Sequence, residues 1–275
     1  MTDGFRLRAL ALSGLVAALG AAPGFMAQAQ ERDFCAARPG KGAPACILDA
    51  GQWQVELGLV DFARQTDSAG RSTTWTAGDM LIRRGVGPAT ELQLGIAAYS
   101  RERTTERGGA LSHTSDGVGD LRLGFAHSLR NPDGSGLAVA VSGYVSLPVG
   151  SPEVTADVIE GGVVVPISAP LSADWSLSLS PGVDMVADAD GEGLHAAYAL
   201  AAGVGRSFGA WALGGELWVS RDEDPQSPST QATFDLTAVW TPPGVEDAQI
   251  DFGVNFGLND DSPDIELGLG LAKRF

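Results

Sequence analysis

From Trp53 to the last residue the chain alternates apolar and polar side chains with a period of two, in runs about as long as a tilted strand needs to cross a bilayer. The clearest run is Ile265, Leu267, Leu269 and Leu271 set against Glu266, Gly268, Gly270 and Ala272. Ile250, Phe252, Val254 and Phe256 do the same against Asp251, Gly253, Asn255 and Gly257. Such runs describe strands with one apolar and one polar face. Twelve are expected, near 53–63, 73–84, 90–100, 118–130, 137–147, 157–167, 174–186, 194–206, 211–220, 231–241, 248–258 and 264–275. Only a closed sheet satisfies every backbone group of such strands in lipid, and the even count suits a single-chain barrel. The expected fold is therefore all-β, a transmembrane antiparallel barrel over 53–275.

The connectors divide into two sets. Those at 64–72, 101–117, 148–156, 187–193, 221–230 and 259–263 are polar and mostly longer; those at 85–89, 131–136, 168–173, 207–210 and 242–247 are tighter. Long loops outside and short turns in the periplasm are the barrel pattern. Trp53, Trp175, Trp211, Trp240 and Phe275 fall at the short-turn ends, with Tyr99 and Trp218 near the opposite ends, as an aromatic girdle requires. Phe275 on the apolar side of the last strand resembles the terminal signal read by the outer-membrane assembly machinery, although Lys273 stands where an aromatic is commoner.

The first thirty residues carry a basic start (Arg6, Arg8), an apolar run from Leu10 to Ala22 and Ala27-Gln28-Ala29, an arrangement that predicts a signal peptide over 1–29. Export to an oxidising compartment makes Cys35 and Cys46 readable as a disulfide closing a Pro/Gly-rich stretch, a periplasmic segment over 30–52 ahead of the first strand. The expected location is the outer membrane, with lipid, the assembly machinery and a small-molecule solute as partners.

Charge excludes other classes. A formal charge of −16 leaves nothing to neutralise phosphates, so no nucleic-acid partner is expected. Two cysteines exclude zinc ribbons and iron–sulfur clusters. No cofactor or energy-coupling motif is visible. The face opposite the apolar positions collects Glu56, Glu91, Asp120, Glu160, Asp174, Asp184, Glu216, Asp235, Asp251 and Glu266, opposed mainly by Arg122, with Arg83 and Arg274 near strand ends. Such a lumen favours cations over anions. Tyr144 is the aromatic on that face placed to touch an aromatic solute.

The runs GlyValGlyAspLeuArgLeuGly (117–124), ValSerLeuProValGlySer (145–151) and SerProAspIleGluLeuGlyLeuGlyLeuAlaLysArgPhe (262–275) resemble the outer-membrane transporter family known as "Putative MetA-pathway of phenol degradation". The opening AspPheCys…ProAlaCys…AlaGlyGlnTrpGlnValGluLeuGly (33–58) is similar to proteobacterial members. The resemblance covers essentially the whole mature chain and implies a barrel that passes aromatic or hydrophobic compounds. It brings no catalytic or binding residues with it.

Other motifs point elsewhere. HisThrSerAspGly at 113–117 resembles the His-x-Ser-Asn-Gly site of outer-membrane phospholipases, but Asp116 replaces the Asn and the motif is expected at a loop entry. Asp188-Ala189-Asp190-Gly191-Glu192 resembles the start of a calcium loop without its remaining ligands. His127 falls on an apolar strand face. A solute-passing barrel is the expected function, with a non-conducting structural barrel or a lipid-modifying enzyme as alternatives.

Overall fold

A computed structural model describes residues 31–109 and 111–275. The predicted signal peptide lies outside them. Fourteen strand segments follow one another: β1 Trp53–Thr66, β2 Gly70–Gly87, β3 Thr90–Glu106, β4 Ser112–Gly117, β5 Leu121–Arg130, β6 Ala138–Leu147, β7 Glu160–Val164, β8 Ile167–Pro170, β9 Trp175–Ala187, β10 Leu194–Phe208, β11 Trp211–Asp222, β12 Ser229–Trp240, β13 Ala248–Gly257 and β14 Ile265–Arg274.

Two pairs of segments are single staves with a break. β4 and β5 both pair with β3 in one register (Ser100↔Gly117 and Gly95↔Arg122). β7 and β8 both pair with β6 and with β9 in one register. The second break falls at Val165-Pro166, where proline has no N–H to give the ladder. The wall therefore has twelve antiparallel staves, and β1 pairs with β14 to close it. Beyond that seam the Phe275 and Trp53 backbones exchange hydrogen bonds of 2.7 and 3.1 Å.

Two of the expected long loops are strand instead. β1–β2 and β3–β4 run on as hairpins, leaving only 67–69 and 107–111 as connections. Above the apolar belt both faces of a stave meet water, so Arg71, Thr73, Arg101, Arg103 and Thr105 carry no period-two signal although they pair regularly. The phospholipase-like motif is likewise on a strand, β4, and not at a loop entry.

Side chains divide as a barrel in lipid demands. Leu92, Phe125, Leu177, Leu217, Phe234, Phe252 and Leu269 point outward and are exposed, whereas Gln54, Glu56, Arg83, Glu91, Thr233, Asp235 and Asp251 are enclosed. His127 faces out, its Nδ1 2.8 Å from Thr90 Oγ1. Trp175 and Trp211 are exposed at the short-turn end, where Trp211 meets Trp240 at 6.3 Å between ring centroids. Trp218 departs from the expected girdle: it shares the inward face of β11 with Glu216. Asp174 departs too, standing in the exposed turn before β9. Because the staves pair with one another around a closed ring, unboiled protein in detergent is expected to migrate apart from boiled protein on a gel. A single band position under both conditions contradicts closure.

Candidate functional site: the filled lumen and the chamber beside it

The inward polar face has two kinds of neighbour, the staves across the lumen and the chain itself. Residues 32–50, expected ahead of the first strand, enter the barrel. Cys35 and Cys46 are joined, as the sequence predicts. The segment forms no helix or strand, so its backbone groups need side-chain partners. The wall carboxylates supply them. Glu56 Oε2 accepts the Ala37 and Arg38 N–H groups at 2.9 and 3.2 Å, and Glu91 Oε2 accepts the Leu48 N–H at 3.0 Å. Glu216 accepts the Lys41 and Gly42 N–H groups at 2.9 and 3.3 Å. Donors from the wall meet the carbonyls: Arg83 and Gln54 reach Cys35 O at 2.8 and 2.9 Å, and Ser180 reaches Ala43 O at 3.2 Å.

Side chains of the segment complete the match. The Arg38 guanidinium sits 3.2 Å from Asp251 Oδ1 and 3.3 Å from Asp61 Oδ1. Lys41 Nζ reaches Glu266 Oε2 and lies 4.3 Å above the Trp218 ring. Ile47 packs on Ala126 and Ala140, small inward residues that leave room for it. Close approach demands glycine at Gly85, where a Cβ would stand 2.0 Å from the Asp49 carbonyl oxygen. The segment is thus a plug fitted to this wall, touching staves on all sides of the lumen.

Beneath it Arg83, 1% exposed, holds Glu91 at 2.7 Å and Glu56 at 3.1 Å. A buried charge of this kind is tolerable only when paired. Arg274, assigned to a strand end, bonds Asp247 and the Arg32 carbonyl at that same end. Asp235, paired in the wall with Glu216 on one side and Asn255 on the other, is fully enclosed, and neither of its oxygens has a hydrogen-bond partner among the described residues.

The remaining predicted residues gather at a second place. A chamber of about 730 Å³ is lined by Asp79, Gln93, Asp120, Arg122, Tyr144 and Glu160, with Val154, Thr155 and Ala156 of the 148–159 loop folded against it. The Arg122 guanidinium lies 4.8 Å from the Tyr144 ring, and the Tyr144 hydroxyl donates to Asp184 Oδ1 at 2.8 Å. Asp120 accepts the Gly150 N–H at 3.0 Å, which ties the loop to the break between β4 and β5. The structure therefore brings Asp120, Arg122 and Tyr144 together and separates them from Glu91, Glu216 and Asp235, which belong to the plug's seat. Asp79 and Trp218 are lumen residues that sequence reasoning missed. The period of two is the available signal for Trp218, since it stands two residues from Glu216; Asp79 is hidden by the left-handed Gly78 beside it, which interrupts the alternation.

The phospholipase-like residues lie on the extended β3–β4 hairpin, where Asp116 accepts the Tyr99 hydroxyl at 3.3 Å. In the calcium-like run, Asp188 turns to His195 at 2.8 Å while Asp190 bonds Gln226.

The chain is similar in fold to the COG4313 outer membrane channel from Pseudomonas putida F1, at 14% identity and a TM-score of 0.65 over 86% of this chain and 99% of that one. It is also similar to the beta domain of the Bordetella autotransporter BrkA, at 13% identity and a TM-score of 0.56 over 82% and 100% of the two chains. The translocator domain of autotransporter NalP from Neisseria meningitidis follows at 13% identity and 0.50 over 82% and 89%. No curated protein sequence matches it. The profile of one family spans residues 36–275, taking in most of the plug, its seat and every stave of the wall, and by that match the chain belongs to the family described as "Putative MetA-pathway of phenol degradation".

Proposed function

We propose that this protein is an outer-membrane channel through which small, neutral solutes diffuse, with residues 32–50 restricting the passage. The chamber beside the plug carries this reading. Its volume of about 730 Å³ is that of a small-molecule site, and its wall mixes Met80, Leu81 and Ile96 with Arg122, Tyr144 and carboxylates. The Tyr144 ring and the Arg122 guanidinium plane together suit a flat aromatic solute, and Asp79, Asp120 and Glu160 disfavour an aromatic carboxylate. Cleavage after Ala29, a periplasmic position for the plugged end, contact of the apolar belt with lipid and recognition of Phe275 by the assembly machinery complete the proposal. No chemical step is assigned to the chain.

Liposome swelling tests it. Vesicles with the protein are expected to admit phenol faster than benzoate, and replacing Tyr144 by Ala is expected to narrow that difference. Equal rates for all solutes, or swelling no faster than in empty vesicles, favours a structural barrel. Reversal potentials give the charge test. With Glu56, Glu91, Glu216, Asp251 and Glu266 occupied by the plug and by Arg83, cation preference rests on the chamber carboxylates. It is expected to be clear at low salt, to fade near 1 M as the Debye length shrinks to about 3 Å, and to fall in an Asp79→Asn/Asp120→Asn variant. An anion-selective pore contradicts this assignment.

A further inference from the structure

At the opposite end from the plug, the 188–193 and 223–228 loops meet over a histidine. His195 stands at the start of β10, Asp188 just beyond the end of β9, Asp222 at the end of β11 and Asp224 two residues further. Three carboxylates surround one imidazole. His195 Nδ1 is 2.8 Å from Asp188 Oδ1 and 3.7 Å from Asp224 Oδ2, and Nε2 is 2.7 Å from Asp222 Oδ1. The side chains of His195 and Asp224 are 7% and 6% exposed, so most of this charge is withdrawn from water.

The cluster is not balanced electrically. The neighbouring cation, Arg221, is turned away to Glu223 and to Thr230 Oγ1. The Asp224 carboxylate accepts the Ala189 N–H at 2.6 Å and the Gln226 and Ser227 N–H groups at 2.7 and 2.8 Å. Even a protonated His195 leaves a net negative charge among the four side chains. Nε2 is fully enclosed, with Asp222 Oδ1 its neighbour at 2.7 Å, so Nδ1 is the nitrogen that faces the remaining two carboxylates.

We propose that Asp188, His195 and Asp224 form a binding site for one divalent transition-metal ion of the zinc type, clamping the two loops together. The three ligand atoms already lie within 4.8 Å of one another. Tetrahedral bonds of about 2.0–2.1 Å place neighbouring ligand atoms about 3.3 Å apart, between the two His195 Nδ1 distances above. A metal on Nδ1 fixes the ring proton on Nε2, and Asp222 is the acceptor waiting there, the carboxylate–histidine–metal arrangement that orients a ligand ring. The imidazole selects against calcium and magnesium, which take oxygen ligands.

The test uses the full chain in detergent, without a histidine tag and stripped by chelator, titrated with zinc chloride in a calorimeter. One equivalent is expected to bind, to be retained against a large excess of calcium, and to protect the 188–193 and 223–228 loops from protease. The His195→Gln variant is expected to lose the site, and Asp222→Asn to weaken it about 10–100-fold, the usual effect of removing an outer partner. If His195→Gln does not fold, as judged by gel mobility before and after boiling, Asp224→Asn replaces it, since its amide oxygen in the Oδ1 position still accepts the Gln226 and Ser227 N–H groups. Absence of saturable binding, equal binding by wild type and a folded ligand variant, or displacement by calcium each overturns the assignment.

Discussion

Deleting residues 33–50 while keeping the signal sequence is expected to raise single-channel conductance in planar bilayers several-fold. The segment fills the lumen where the staves converge on it from all sides, and its removal takes away Arg38 and Lys41 together with the bulk of the disulfide ring. It also frees Glu216, Asp251 and Glu266, while Glu56 and Glu91 keep Arg83, so the enlarged pore is expected to become more cation-selective as well as wider. The two readouts separate two explanations. A plug that merely narrows the path changes conductance alone; a plug that neutralises the wall changes both. Unchanged conductance places the barrier elsewhere, with the 148–159 loop folded against the chamber as the next candidate.

Replacing Arg83 with leucine is expected to be the most damaging single change, costing about 3–5 kcal/mol, because it leaves partners of a buried ion pair unpaired. Glu91 and Glu56 are 0% and 1% exposed, and Arg83 bonds both. The loss also reaches the plug, since the same guanidinium holds the Cys35 and Cys46 carbonyls. The variant is therefore expected to unfold on heating at a lower temperature and to expose residues 32–50 to protease before the wall opens. A triple variant, Arg83→Leu with Glu56→Gln and Glu91→Gln, is expected to recover much of the wall's stability without recovering the plug, because the stranded charges are gone while the carbonyl donors are still missing. If Arg83→Leu leaves protease resistance unchanged, the guanidinium is not what holds the segment.

Much of the wall is legible in the sequence because its cause is local. In a strand successive side chains point to opposite faces, so a barrel in lipid writes its inside and outside into neighbouring residues. That rule alone turns Leu267 and Leu269 outward and Glu266 inward. Where the chain leaves the apolar belt the rule has nothing to read. Residues 64–72 and 101–117 therefore have the composition of loops although most of them pair as strand. A left-handed glycine has a similar effect, and Gly78 conceals Asp79.

Order along the chain is enough for the fold class, the number of staves, the facing of most wall residues and the pairing of Cys35 with Cys46. It does not say what the inward charges are for. As letters on strands, Glu56, Glu91 and Glu216 are interchangeable with Asp120, and all read as a carboxylate lining. Folding carries residues 32–50 into contact with partners as distant as Glu216, Asp251 and Glu266, and the carboxylates become acceptors for a plug's backbone. It likewise sets Asp224, in the loop after β11, against Asp188 just beyond β9 and His195 at the start of β10. A periodicity records which way a residue points; which segment it meets there depends on closure of the ring and on what enters it, and no local pattern encodes either.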